Sequence, residues 1–401
     1  MTAPGAGAMP RANRPNDGAD PAEWRIKPQN QQVFLAAGPS RPPLPIPYPD
    51  IAGSALVARH ARIVGQLPDL GCYTLENCLM AESGYVLDAD SLRLYDAPDI
   101  DHPSWRERYQ RRAYEGARSG KPVRRVENDG SIFVKLINPG YRIYGHWIID
   151  LLPAAWLLKR MTATLPARPV TFVIGHDTPS WAVSMIRSLA WHDSDRLLAY
   201  NPETELLAFD RITVPSNVRM SPFISPLFDE FVADIMRVTS RPADRFPERF
   251  MISRGNHAHT GRRTLVSRNV LEEAAIRLGL PVICPEELPW TAQISLFQGA
   301  RLVVGEFGSG LHNTIFASEG CDVLSTFNSR SNMNQTAIGA LRRQRVQYVP
   351  ATAEQVQDGD FAYDIDAGRF IAVMDEFVRN PGPIPAAPTD RPSPAGRSGA
   401  S

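Results

Sequence analysis

The sequence predicts an α/β protein of two Rossmann-like domains that face a cleft. Three observations carry that reading. Apolar runs of strand length alternate with segments of helical periodicity. The alternation stops at a charged stretch with two prolines, Ser240 to Pro247, and then restarts. Both ends of the 401-residue chain are biased toward Pro, Gly and Ala. Strands alternating with helices imply a mostly parallel sheet covered on both faces, and ligands of such sheets bind beyond the carboxyl ends of the strands. The length suffices for two separate cores. The boundaries read as a disordered segment 1–50, a first domain 51–245, a second domain 246–380 and a disordered Pro-rich tail 381–401. The two ends are expected to bury too little apolar surface to offset chain entropy.

The first domain is expected to open with strands at 55–58, 85–87 and 132–137, followed by a helix over 144–161. A strand at 170–174, a helix over 181–190, a strand at 212–214 and a helix over 227–238 complete it. In the second domain, Arg249 to Ser253 reads as a strand. Leu271, Ala274, Ala275 and Leu278 mark one helical face that stops at Gly279. Strands follow at 281–284 and 302–304, with a helix over 290–299 between them. A glycine-broken turn then leads into a helix to about Ala317, followed by strands at 322–327 and 346–349. Phe370, Ile371, Met374, Phe377 and Val378 make a closing amphipathic helix.

Lysine plus arginine equals aspartate plus glutamate, 43 each, so nothing points to nucleic acid or to a strongly anionic surface as partner. Cys72, Cys78, Cys284 and Cys321 form no CxxC pair or zinc-spaced cluster and read as core thiols in a reducing compartment. The N-terminus has no apolar signal region, and the longest apolar run, Trp147 to Leu158, is broken by Asp150 and too short to span a bilayer. The expectation is a cytoplasmic protein without a transmembrane segment.

Three constellations could carry chemistry. The first is the run from Arg301 to Phe316, an apolar strand that breaks into Gly305, Gly308 and Gly310 and resumes at helical spacing. Gly308 and Gly310 allow close backbone approach, and the free N–H groups at Ser309 and Gly310 suit a phosphate or diphosphate. Asn313, one turn on, either meets such a ligand or bonds locally. The turn is neither a dinucleotide fingerprint nor a P-loop, since Asn313 stands where a third glycine belongs and no Lys-Ser/Thr follows. It is not a nucleophile elbow either. The second is Ser253-Arg254, at the carboxyl end of a strand, where a guanidinium offers a planar fork to phosphate oxygens or joins a salt bridge. Arg262 and Arg263 follow in a polar loop and either support it or lie solvated.

The third is Tyr144 to Pro153. His146 and Asp150, at i and i+4, share one face of an otherwise apolar helix, and Pro153 is expected to kink it. The pair reads as base and orienter or as a satisfied helix-start contact. Two ligands without a third make no metal site.

Taken in order, HWxxDxLP at 146–153, the strand ending Ser253-Arg254 and GxxGSGLxN at 305–313 resemble family 61 glycosyltransferases, among them bacterial capsular polysaccharide biosynthesis proteins. Gln293, Phe297 and Ala300 also fit that pattern, which runs from about Ile132 to Phe327. The resemblance implies a GT-B-like fold and an inverting, metal-independent transfer from a nucleotide sugar, such as a UDP-sugar, with no other cofactor. It implies an acceptor saccharide, with a lipid-linked one admitted, and hence a soluble enzyme that works at the inner face of the plasma membrane. Two departures stand out: Phe307, where many members have histidine, and Ser267-Arg268, where they have Asn-Glu.

On this reading Arg254, Ser253, Gly308, Ser309, Gly310 and Asn313 bind the nucleotide sugar. Asp150 or His146, unranked, takes the acceptor proton, with Glu306 at the strand end as third choice. The opposing reading is a non-catalytic nucleotide-sugar or polysaccharide-binding protein of the same fold. A nicotinamide-dependent oxidoreductase would need the fingerprint that Asn313 spoils.

Overall fold

The computed structural model describes residues 25–26, 30–35, 70–95, 103–162, 168–189, 195–220, 223–225, 227–239, 246–255, 263–357 and 360–382. These residues are mixed α/β and fall into two compact units, one ending at 239 and the other beginning at 246. No helix among them is long and apolar enough to cross a membrane.

The first unit is built on a ten-stranded sheet. Its strands are β1 (Arg25–Ile26), β2 (Asn30–Leu35), β3 (Leu70–Ala81), β4 (Tyr85–Asp88), β5 (Leu94–Tyr95), β6 (Val123–Val126), β7 (Ile132–Lys135), β8 (Val170–Gly175), β9 (Arg196–Tyr200) and β10 (Leu206–Pro215). They are ordered β1-β5-β4-β3-β10-β7-β8-β9, with β2 on β3 and β6 on β10. A small hairpin, β11 (Arg219–Met220) and β12 (Phe223–Ile224), follows. The helices are α1 (Pro103–Ala117), α2 (which begins at Tyr144–His146 and ends with Leu152–Thr162), α3 (Ser180–Ser188) and α4 (Leu227–Thr239).

The expected mostly parallel sheet is corrected here. The sheet is mixed: β9, β8, β7 and β10 run parallel, as do β6 with β10 and β1 with β5, whereas β3 runs antiparallel to β10 from Cys72 to Met80 and carries β2 and β4 antiparallel to itself. The polar pair Glu76-Asn77, with Asn77 at φ 51°, interrupts the apolar alternation of β3 and hides a twelve-residue strand. Two strands, β1 and β2, also lie inside the segment expected to be disordered, where pairing to β5 and β3 supplies order that composition does not report. The expected strand at 55–58 and most of the 381–401 tail lie outside the described residues.

The second unit has a seven-stranded sheet ordered β14-β19-β18-β17-β16-β13-β15. The strands are β13 (Arg249–Ile252), β14 (Thr264–Leu265), β15 (Val282–Ile283), β16 (Leu302–Gly305), β17 (Asp322–Phe327), β18 (Arg345–Gln357) and β19 (Asp360–Ile365). The five strands β15, β13, β16, β17 and β18 are all parallel. Their helices are α5 (Arg268–Arg277), α6 (Trp290–Gln298), α7 (Asn334–Leu341) and α8 (Ala367–Arg379). Leu271, Ala275, Phe370, Met374 and Phe377 of α5 and α8 pack on Val304 and Leu324 of the sheet. The α6 side chain Phe297 meets Phe250 of β13 edge to face at 5.4 Å.

Gly279 sits at φ 79° just past α5, and Leu280 N–H reaches back to the Ala275 carbonyl, which stops the helix where its sequence stops. The chain visits the parallel strands in the order β13, β15, β16, β17, β18, so the winding direction reverses between β13 and β16. Such a reversal opens a crevice at the carboxyl ends of the two strands that flank it.

Candidate functional site

In the first unit, chain leaving the carboxyl end of β7 turns through Asn138-Pro-Gly-Tyr141 into α2. The Asn138 side chain accepts from Gly140 N–H at 2.8 Å, and the Trp147 indole donates to the Tyr141 carbonyl at 2.6 Å, which ties the turn to the helix. The helix does not run regularly. Trp147–Leu151 is one π-helical turn, with Leu152 N–H bonded to the Trp147 carbonyl. Pro153 stands two residues beyond that turn and has no N–H to give to the Ile149 carbonyl.

That turn carries Asp150 inward. The Asp150 residue is 3% exposed, and His146 Nδ1 lies 2.6 Å from its Oδ2. Arg219 Nε of β11, also 3% exposed, lies 2.7 Å from its Oδ1. Burial alone would push the Asp150 carboxyl up, but Arg219 and the His146 hydrogen bond outweigh it and hold the group below the usual carboxylate range. Asp150 is therefore an ionised, enclosed anchor with both oxygens engaged. His146 keeps 40% of its side chain exposed. With Nδ1–H donated to the carboxylate, Nε2 carries the free lone pair. Of the two, His146 is the exposed member and Asp150 the enclosed one.

Gly140 is part of this arrangement, because a Cβ there would lie 2.4 Å from His146 Cγ and Cδ2. Gly140→Ala is expected to push the imidazole off Asp150 and lower kcat by about 10- to 100-fold, while thermal unfolding moves little. Unchanged turnover in that variant would show that the ring's position is immaterial. Further along the same edge, Tyr141 donates to Asp177 at 2.6 Å, and Arg142 pairs with Asp177 at 2.5 Å. Tyr144 meets Trp181 at 5.3 Å between ring centroids.

In the second unit, Ser253-Arg254 and Glu306-Phe307-Gly308 follow β13 and β16, on the two sides of the winding reversal. Gly305 and Gly310 both pack against Ile252, where a Cβ would come to 2.4 Å and 3.2 Å, so the turn hugs β13. Gly308 adopts φ 158° and ψ −172°, a corner of the map open almost only to glycine. The expected helix after the turn is corrected to a 3-10 helix, Ser309–Phe316. Apolar spacing does not separate the two helix types over two turns.

The side chains divide into exposed and committed groups. Gly308, Ser309 and Gly310 are half-buried at the edge, whereas Asn313 is fully buried and donates to Gln293 at 3.1 Å. Asn313 therefore holds α6 to the 3-10 helix rather than facing a ligand. Ser253 Oγ donates to Glu272 at 2.5 Å and accepts from Gly255 N–H at 3.2 Å. Glu306 is 5% exposed, lies 2.6 Å from Arg268 Nε and accepts from the Tyr363 hydroxyl at 3.3 Å. Both of its carboxylate oxygens are engaged. The residue is the start of a chain of contacts through Tyr363 and Thr326, whose Oγ1 accepts from Phe307 N–H at 3.1 Å, that fixes the glycine turn.

Arginine dominates the rest of this edge. Arg254 donates to the Arg263 carbonyl at 3.3 Å. Arg263 donates to the Phe307 carbonyl at 2.9 Å and lies 5.7 Å over that ring. Burial, followed by the nearby Arg254 charge and with a smaller push from Arg330, pulls the Arg263 guanidinium below its ordinary range, against the opposing pull of Tyr363 and Glu306. Like charges held together in a half-buried place favour an anion with more than one negative charge. Arg262 lies outside the described residues.

Sequence reasoning did not find Arg219, Gly140 or the dominant place of Arg263. Arg219 stands in no motif, 69 positions after Asp150, and only the fold of β11 brings it there. A cavity of about 260 Å³ lined by Ser131, Ile132, Met161 and Arg168 opens at the amino end of β7 and contains none of these groups.

The sequence model of the family described as Glycosyltransferase 61 matches residues 144–324. The matched span starts at the first residue of α2 and ends within β17, so it takes in His146, Asp150, Arg219, Arg254, Arg263 and the glycine turn. The match implies glycosyltransferase activity, with a sugar donor and an acceptor as substrates. No curated protein matches the chain.

Proposed function

We propose that the chain is an inverting glycosyltransferase that moves a sugar from a nucleotide-sugar donor, a UDP-sugar first among them, to a saccharide acceptor in capsular or extracellular polysaccharide synthesis. The observation that carries the reading is the His146–Asp150–Arg219 array lying within the family-matched span. The acceptor O–H gives its proton to His146 Nε2 as its oxygen forms the new bond to the anomeric carbon. The bond from that carbon to the diphosphate oxygen breaks on the opposite side, and the nucleoside diphosphate leaves with the electron pair. Charge grows on the leaving diphosphate, and groups aimed where it develops lower the barrier.

We assign that task to Arg254 and Arg263, with the N–H groups at Ser309 and Gly310, and propose guanidinium rather than a metal ion as counter-charge. Gly308 shapes the turn. Ser253 sets the strand end through Glu272 and Gly255, and Asn313 braces the helix behind it. The working place proposed is the cytoplasmic side of the membrane, where a lipid-linked acceptor is within reach.

A thermal-shift series with nucleotides and nucleotide sugars tests the reading. A ligand at about 100 times its Kd adds about 2.7 kcal/mol of stability. One nucleotide sugar is expected to raise Tm in the wild type and, at the same concentration, to leave Arg254→Ala unshifted, since loss of a charged phosphate contact weakens binding by about 10- to 100-fold. No shift with any nucleotide in a folded protein would sink the donor site. Binding without turnover across a broad acceptor panel would favour the non-catalytic binding protein.

A further inference from the structure

A buried carboxylate beside an imidazole has a known consequence: it favours the charged ring and raises its proton affinity. Without a second partner Asp150 would favour the imidazolium form of His146, and an imidazolium takes no proton from an acceptor. The structure adds a second cation on the other carboxylate oxygen, at 2.7 Å and as deeply enclosed as Asp150. We infer that Arg219 is a positioning residue of this site that also sets its protonation: by neutralising Asp150 it leaves His146 oriented yet uncharged. The inference rests on the transferase reading only for its purpose, since the charge balance is a property of the three side chains.

The groups that face Asp150 are limited. Among the described residues its largest charge interactions are with Arg219 and His146. On the other side of the imidazole lies Gly140, which brings no charge. The ionisable neighbours at the adjoining strand ends, Arg142 and His176, are both turned to Asp177, at 2.5 Å and 3.6 Å. With His146 neutral, the Arg219–Asp150–His146 set has no net charge. It becomes a cation only when it accepts a proton. Nothing in the local sequence around Arg219 signals this role, because its partner lies in another element.

The test is a titration of the histidine side chains by NMR on the full chain, with the His146 signal, one of eight, assigned from its loss in His146→Gln. In Arg219→Met the His146 midpoint is expected to rise by about one pH unit, a tenfold gain in proton affinity. Arg219→Lys, which keeps the charge, is expected to stay near wild type. In Asp150→Asn the carboxylate is gone while the Arg219 charge remains, and the midpoint is expected to fall below the ordinary imidazole value of about 6.5. An unchanged midpoint in folded Arg219→Met, or an ordinary one in Asp150→Asn, overturns the inference, and the second variant carries the test if the first does not fold. The titration needs no substrate. Expected shifts without turnover on any nucleotide sugar would leave this inference standing and remove the transferase reading.

Discussion

Replacing His146 by alanine is expected to lower kcat by about 10²–10⁴, the range lost with a general base, while donor-induced stabilisation stays intact. The separation follows from geometry. The imidazole belongs to the first unit, whereas the arginines assigned to the diphosphate belong to the second. The side chain is 40% exposed and supports no core, so its removal changes chemistry more than folding. Initial rates at saturating donor and acceptor, with the thermal shift measured in parallel, decide the matter. A larger loss in Glu306→Gln, with donor binding preserved, would move the base to the second unit. The enclosure of Glu306 argues against that outcome, since its two oxygens are already engaged by Arg268 and Tyr363.

What the sequence revealed and what it concealed divide along physical lines. The pairing of His146 with Asp150 was legible because i and i+4 meet on any helical turn, and it survives the local widening to a π turn. Their unequal burial was not, nor was Arg219 as a long-range partner of Asp150. Gly308 was legible because its backbone geometry excludes other residues, but the helix type after it was not. Asn313 looked like a ligand group from its spacing, yet packing turned it to Gln293. The parallel strands of the second unit are continuous apolar runs and were found, whereas β18 was found only to Val349. Its outer half, from Ala351 to Gln357, is a polar antiparallel pair with β19. In the first unit, β3 and β10 pair across more than 120 positions of sequence, so no local pattern announces their antiparallel register.

The Asp150–Arg219 pair makes a stability prediction larger than any at the surface. Both side chains are almost fully enclosed, at 5% and 3% exposure, so neither charge is relieved by water if the other goes. Asp150→Asn removes the anion 2.7 Å from a buried guanidinium, a change expected to cost about 3–5 kcal/mol. For a unit of this size each kcal/mol moves Tm by about 2–4 °C, so a fall of about 10 °C is expected for the first-unit transition. Arg219→Met combined with Asp150→Leu should recover much of that loss, because an apolar pair has no unmatched charge to solvate. The sign with pH follows from the carboxyl, held below its ordinary value in the folded state. Its contribution is present above the unfolded value of about 3.9 and is lost as pH falls through the folded one. Denaturant titrations of wild type and Asp150→Asn should therefore run parallel from about pH 5 to 8 and converge below about pH 4. A gap that stays constant down to pH 3, or one smaller than about 1 kcal/mol at pH 7, would mean that the carboxylate is not the partner that stabilises Arg219.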